Sequence, residues 1–89
     1  MPHTIELLEK ALAKQRAATW CRQFNITEAA LSLAKKRGRL SPTLASVFAI
    51  EMGENPIYWT AVAAAEAEPP GPLRDRLEET LKRHETALY

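Results

Sequence analysis

The 89-residue chain has one cysteine, Cys21, three glycines, at positions 38, 53 and 71, and two histidines, His3 and His84. Each scarcity removes a class of function. One cysteine permits no internal disulfide framework and no multi-cysteine metal site. Three scattered glycines leave no glycine-rich loop to cradle a phosphate. The histidines stand far apart with no carboxylate spacing that completes a metal site, so surface roles are expected for both. Long apolar runs are missing too. The longest uncharged stretches, Leu40–Ile50 and Asn55–Ala65, are too short to cross a bilayer, and no basic start followed by an apolar stretch suggests a signal peptide. With 46% hydrophobic and 26% charged residues the chain reads as folded rather than disordered. At this size one core is only marginally stable, which makes a partner surface plausible. The default expectation is a cytoplasmic protein without membrane contact, and composition alone names no activity.

The net charge of +1 conceals an asymmetry. Residues 1–53 carry eight Lys and Arg against four Glu, a balance of +4, whereas residues 54–89 stand at −3. A polyanionic partner would therefore meet the first half. Within it Lys35, Lys36, Arg37 and Arg39 put four cations in five positions. Such a run is often no more than a solvated helix end, where cations also suit the helix dipole.

Apolar residues recur at three- and four-residue spacing and almost nothing alternates with period two, so the class is all-α. Helix one is expected from Thr4, as N-cap, to about Gln15. Helix two spans about Ala17 to Phe24 with Trp20, Cys21 and Phe24 inward. Asn25 tolerates the left-handed backbone of a tight turn, and Thr27 caps a third helix from Glu28 to Arg37 that stops at Gly38. Ser41-Pro42 and Asn55-Pro56 each pair an N-cap with proline at the first helical position. They open a fourth helix to about Met52 and a fifth to about Glu68. Pro69-Pro70-Gly71-Pro72 breaks the chain. A sixth, amphipathic helix over 73–89 shows a stripe of Leu73, Leu77, Leu81, His84 and Leu88. The expected layout is a domain over 1–68, a linker at 69–72 and a terminal helix for packing or oligomerisation. An isolated helix of this length is marginal in water and must bury its stripe. It can do so on its own bundle or, as favoured here, on a second chain through Leu73, Leu77, Leu81 and Leu88. Ala61, Ala64 and Ala65 on helix five offer another place for close approach.

Two short helices joined by a tight turn form the helix-turn-helix, whose second helix lies in the DNA major groove. The stretch 17–34 meets its demands in one register. Cys21 is small where the helices cross, Asn25 makes the turn, Ile26 plugs the core, and Leu31 and Ala34 point inward. The run Trp20-Cys21-Arg22-Gln23-Phe24-Asn25-Ile26-Thr27-Glu28-Ala29-Ala30-Leu31 resembles the helix-turn-helix of the Cro and lambda-repressor type. Lys35-Lys36-Arg37-Gly38-Arg39-Leu40-Ser41, Ala49-Ile50-Glu51-Met52-Gly53-Glu54-Asn55-Pro56 and the alanine- and glutamate-rich 61–68 are similar to small phage-related members of that group. The resemblance covers about residues 4–68.

The resemblance implies a bundle of about five helices acting as a phage or prophage transcriptional regulator, a repressor in kind, in the cytoplasm of a bacterial host. Its partner would be double-stranded operator DNA, bound by a homodimer, with two recognition helices roughly 34 Å apart. Carried over by position, Thr27, Glu28, Ala29, Ser32 and Lys36 would face base edges. Arg16, Ala17, Lys35, Arg37 and Arg39 would sit over phosphates. Two positions depart from the usual pattern. Readers of this type offer Gln, Asn or Arg to the bases, whereas Glu28 accepts only from cytosine and Ala29 touches only a thymine methyl. Leu33 is expected to be exposed. Leu33 and Glu28 equally suit a protein-interaction module on the same fold, such as an anti-repressor or an inhibitor of a host factor.

Catalysis is not expected. Cys21 has no histidine near it in sequence and reads as packing. Trp20, Tyr58 and Trp59 stand at core spacing rather than as stacking platforms. The acids and bases of 74–85 form i,i+4 pairs such as Glu78–Lys82 and Glu79–Arg83. No triad, phosphate loop or catalytic carboxylate pair is present, and no cofactor or metal is implied.

Overall fold

The computed structural model describes the backbone of residues 2–88 and the side chains of residues 2–84. Among them it holds six helices and no strand: α1 Ile5–Lys14, α2 Ala17–Phe24, α3 Glu28–Arg37, α4 Pro42–Glu51, α5 Pro56–Ala67 and α6 Pro72–Leu88. Local chemistry accounts for most of the boundaries. The Thr27 side chain accepts from the Ala30 N–H, Ser41 from Leu44, and Asn55 from both Ile57 and Tyr58, each satisfying donors that a helix start leaves open. Proline opens α4 and α5 at no cost in hydrogen bonds.

Three successive helices stop by the same device. Asn25, Gly38 and Gly53 hold φ of 52°, 74° and 72°. The amide that follows each one reaches back over the helix end: Ile26 to Cys21 O, Arg39 to Ala34 O and Glu54 to Ala49 O, at 2.8–3.2 Å. The left-handed residue turns the chain while these bonds close the helix, so α2, α3 and α4 are each short and sharply bounded.

The α4–α5 pair forms the centre. α1 lies against α4, α6 against α5, and the α2–α3 unit joins through the core. That core runs from Leu7, Leu8 and Ala11 through Trp20, Leu31 and Leu40 to Phe48, Trp59 and Val62. Trp20 ties its parts together. It is 1% exposed, stacks on Phe24 at 5.9 Å and meets Phe48 edge-on at 5.3 Å. Its Nε1–H donates to Ala11 O at 2.8 Å, which removes the penalty for burying that donor. Cys21, Tyr58 and Trp59 are buried as well.

Thr4 does not cap α1. Its backbone is helical and its side chain makes no cap bond. The side chain is buried, where Oγ1 donates to Glu66 Oε1 and accepts from the Leu40 N–H at 2.8 Å. Glu66 also receives the Thr4 N–H and faces His3 Nδ1 at 3.4 Å, and the Arg39 guanidinium donates to Glu66 O at 3.1 Å. One buried hydroxyl therefore joins the chain start, the loop after α3 and the end of α5.

The stripe on α6 is largely spent within the chain. Leu81 is 4% exposed and Leu77 packs against the core, so α6 lies on α5. Leu73 stays exposed at the first turn, and the Leu88 side chain lies outside the described residues. The expectation that all four leucines await a second chain is thus corrected: an apolar face on α5 was available inside the fold. Ala65 is likewise fully buried and offers nothing to a partner. The break of the Pro-rich segment ends one residue early, because Pro72 serves as the first residue of α6.

Candidate nucleic-acid interface

α2 and α3 are separated by Asn25, Ile26 and Thr27. Cys21 is buried on α2, Ile26 packs against the core from the turn, and Leu31 and Ala34 bury the inner side of α3. Everything else on α3 is left outward or half-buried. Thr27, Glu28, Ala29, Ser32 and Lys36, the residues expected to face bases, are all exposed. Thr27 is also committed to capping, since its Oγ1 accepts from Ala30 N at 3.1 Å. A base contact there would have to be made with its remaining hydrogen-bonding capacity. Glu28 makes no side-chain bond among the described residues, and its place in the first turn suits the helix dipole.

The phosphate candidates fall into two groups. Arg16 is exposed just before α2, and Ala17 is half-buried at the first helical position with its amide at the N-terminal end of the helix. Lys35, Arg37 and Arg39 are exposed around the end of α3. Lys35 also borders a cleft lined by Ile5, Leu8 and Leu12 of α1, where its aliphatic stem can cover apolar surface while the ammonium stays in water. Arg39 differs from the rest because its guanidinium is held on Glu66 O.

The ion pairs recorded among the described residues lie outside this region. Among the described residues Lys10 pairs with Glu54 at 3.0 Å, Arg74 with Glu78 at 2.8 Å and Arg83 with Glu79 at 3.0 Å. Lys35, Lys36, Arg37 and Arg16 have no such partner, and neither does Arg22, an exposed cation on α2 that sequence reasoning left unassigned. Its signal was present, since Arg22 follows the buried pair Trp20-Cys21 and so turns outward. Leu33 is exposed to 44% on α3, as expected.

Among the described residues no group of three or more His, Cys, Asp or Glu could hold a metal ion, and no helix is long and apolar enough to cross a membrane. Comparison with protein-family models, with curated proteins and with solved structures finds no match.

Proposed function

We propose that the chain is a sequence-specific DNA-binding regulator of the phage or prophage type, a repressor in the simplest reading, with α3 as the helix that enters the major groove. One observation carries the reading. A short helix presented across a three-residue turn that begins at left-handed Asn25 exposes small and polar side chains at its start and, at its end, three cations without an ion-pair partner among the described residues. Small and polar side chains allow a helix to approach base edges, and cations at its far end meet phosphate without first giving up a partner. A two-fold dimer would place two such helices on a two-fold operator. The reading assigns the chain no reaction and no cofactor.

The test is titration of the full chain against DNA flanking its own gene and against a scrambled duplex, at about 50 and 200 mM salt. Preferential binding to the native flank, weakened steeply by salt, is the expected result. Equal weak binding to both would reduce the cations to a nonspecific patch, and no binding would overturn the reading.

The 44% exposure of Leu33 on the same helix favours a second reading, a protein-interaction module that uses Leu33 and Glu28. Leu33→Asp would then abolish activity while Lys36→Ala and Arg37→Ala leave it intact, whereas a DNA reader loses affinity with each cation removed. Arg39→Ala does not discriminate, because Arg39 also holds the end of α5.

A further inference from the structure

Leu31 and Ala34 are buried and set the inner side of α3. At about 3.6 residues per turn, the line opposite them runs through Ala29, Leu33 and Lys36, with Ser32 beside it. All four are exposed. Ala29 and Ser32 are short, so Leu33 projects from a low ridge that ends in a lysine. It is the one large apolar side chain on that line. Lys35, Lys36 and Arg37 around it have no ion-pair partner among the described residues. The outer face of α3 is thus an apolar projection bordered by cations whose counter-charge is not among the ion pairs of the fold.

We propose that Leu33, together with Ala29, reads the C5-methyl groups of pyrimidines in the major groove, which makes Leu33 a specificity-determining residue; this assignment rests on the DNA-binding reading above. Most of what base edges present in that groove is hydrogen-bond donors and acceptors, and the apolar exception is the thymine methyl. Phosphates run along both sides of the groove. An apolar spot flanked by anions is the counterpart of an apolar projection flanked by cations. 5-Methylcytosine carries the same group at the same place, so the chemistry recognised is the methyl on the pyrimidine ring. Glu28, next to Ala29, suits a pyrimidine as well, because a carboxylate accepts from the cytosine amino group. An anionic membrane shares the charge but calls for a wide apolar stripe, and one leucine with one alanine does not make one. A protein partner would have to set an apolar contact inside a ring of anions, which duplex DNA does without any special design.

Titration of the full chain against the duplex flanking its own gene tests it, with that duplex made in three forms: with thymine, with uracil in place of thymine, and with cytosine methylated at C5. Uracil lacks the methyl and keeps every donor and acceptor of thymine. Each methyl buried against the ridge should contribute roughly fourfold in affinity. With thymine as the source, the parent binds the uracil duplex more weakly by at least that factor. With 5-methylcytosine as the source, it binds the methylated duplex more tightly by the same factor. Leu33 is 44% exposed, so Leu33→Ala should keep the far-UV circular dichroism of the parent while lowering whichever ratio is found by roughly fourfold. Leu33→Met, still long and apolar, should largely preserve it. A parent that binds all three duplexes alike overturns the proposal and leaves the DNA reading standing, as does a methyl preference that Leu33→Ala leaves intact. Absence of binding to every duplex overturns both.

Discussion

The face presented by α3 and the face presented by α4 and α5 are built from opposite materials on one core. α3 ends in Lys35, Lys36 and Arg37, all exposed and all without an ion-pair partner among the described residues. α4 and α5 have no charge until their last turns and leave Ile50 and Ile57 in water. Elsewhere the surface is ordinary, with acids and bases paired at short range along α6. The two kinds of surface lie on different helices of one fold.

The largest effect should come where the two faces share support. Trp20 of α2 touches Phe48 of α4 and is 1% exposed, so Trp20→Ala removes packing from both sides at once. A loss of about 3–5 kcal/mol in chemical denaturation is expected, with DNA binding falling alongside. DNA binding that survives the loss would show that the faces stand on separate supports.

Next comes Thr4→Val, which keeps the shape and deletes the hydroxyl. The Leu40 N–H and the Glu66 carboxylate would lose a buried partner, at a cost of about 1–3 kcal/mol measured by urea unfolding. The loop after α3 is affected more than α4 and α5, so DNA affinity should fall with it. A third and smaller effect concerns the backbone of the turn between α2 and α3. Asn25→Ala places an ordinary side chain at φ 52° and should cost about 1 kcal/mol, read as a lower thermal midpoint. Smallest in stability is Arg37→Ala, expected within about 0.5 kcal/mol of the parent. Its signature is elsewhere: the slope of log affinity against log salt should shrink by about 1 if Arg37 meets a phosphate. An unchanged slope would remove Arg37 from the phosphate contacts.

The helices were legible in the sequence because their boundaries are written in local chemistry. Thr27, Ser41 and Asn55 cap the helices that follow them, and Asn25, Gly38 and Gly53 stop the helices before them. The inward set of α2 and α3, from Trp20 to Ala34, followed from spacing, as did the exposure of Leu33. What spacing could not reach were choices made across the fold. Thr4 looked like a cap because threonine before a helix commonly is one, but its partners Leu40 and Glu66 are 36 and 62 positions away. Glu66 carries no sequence signal for burial, yet its side chain is 6% exposed. Leu77 and Leu81 looked unclaimed because periodicity says that a stripe must be buried and not against what. For the candidate interface, exposure and the lack of partners could be expected in outline. That Arg39 is tethered to Glu66 O could not.

The buried threonine has one more consequence. The Leu40 amide sits at the foot of the loop that leaves α3 and is protected by a side chain from the beginning of the chain rather than by its own helix. Closing a contact over so many residues costs entropy that only the assembled core repays. Deuterium uptake at that single amide is therefore a clock for the whole molecule: it advances when the two ends of the fold part company, while amides in the short flanking helices can exchange by local fraying.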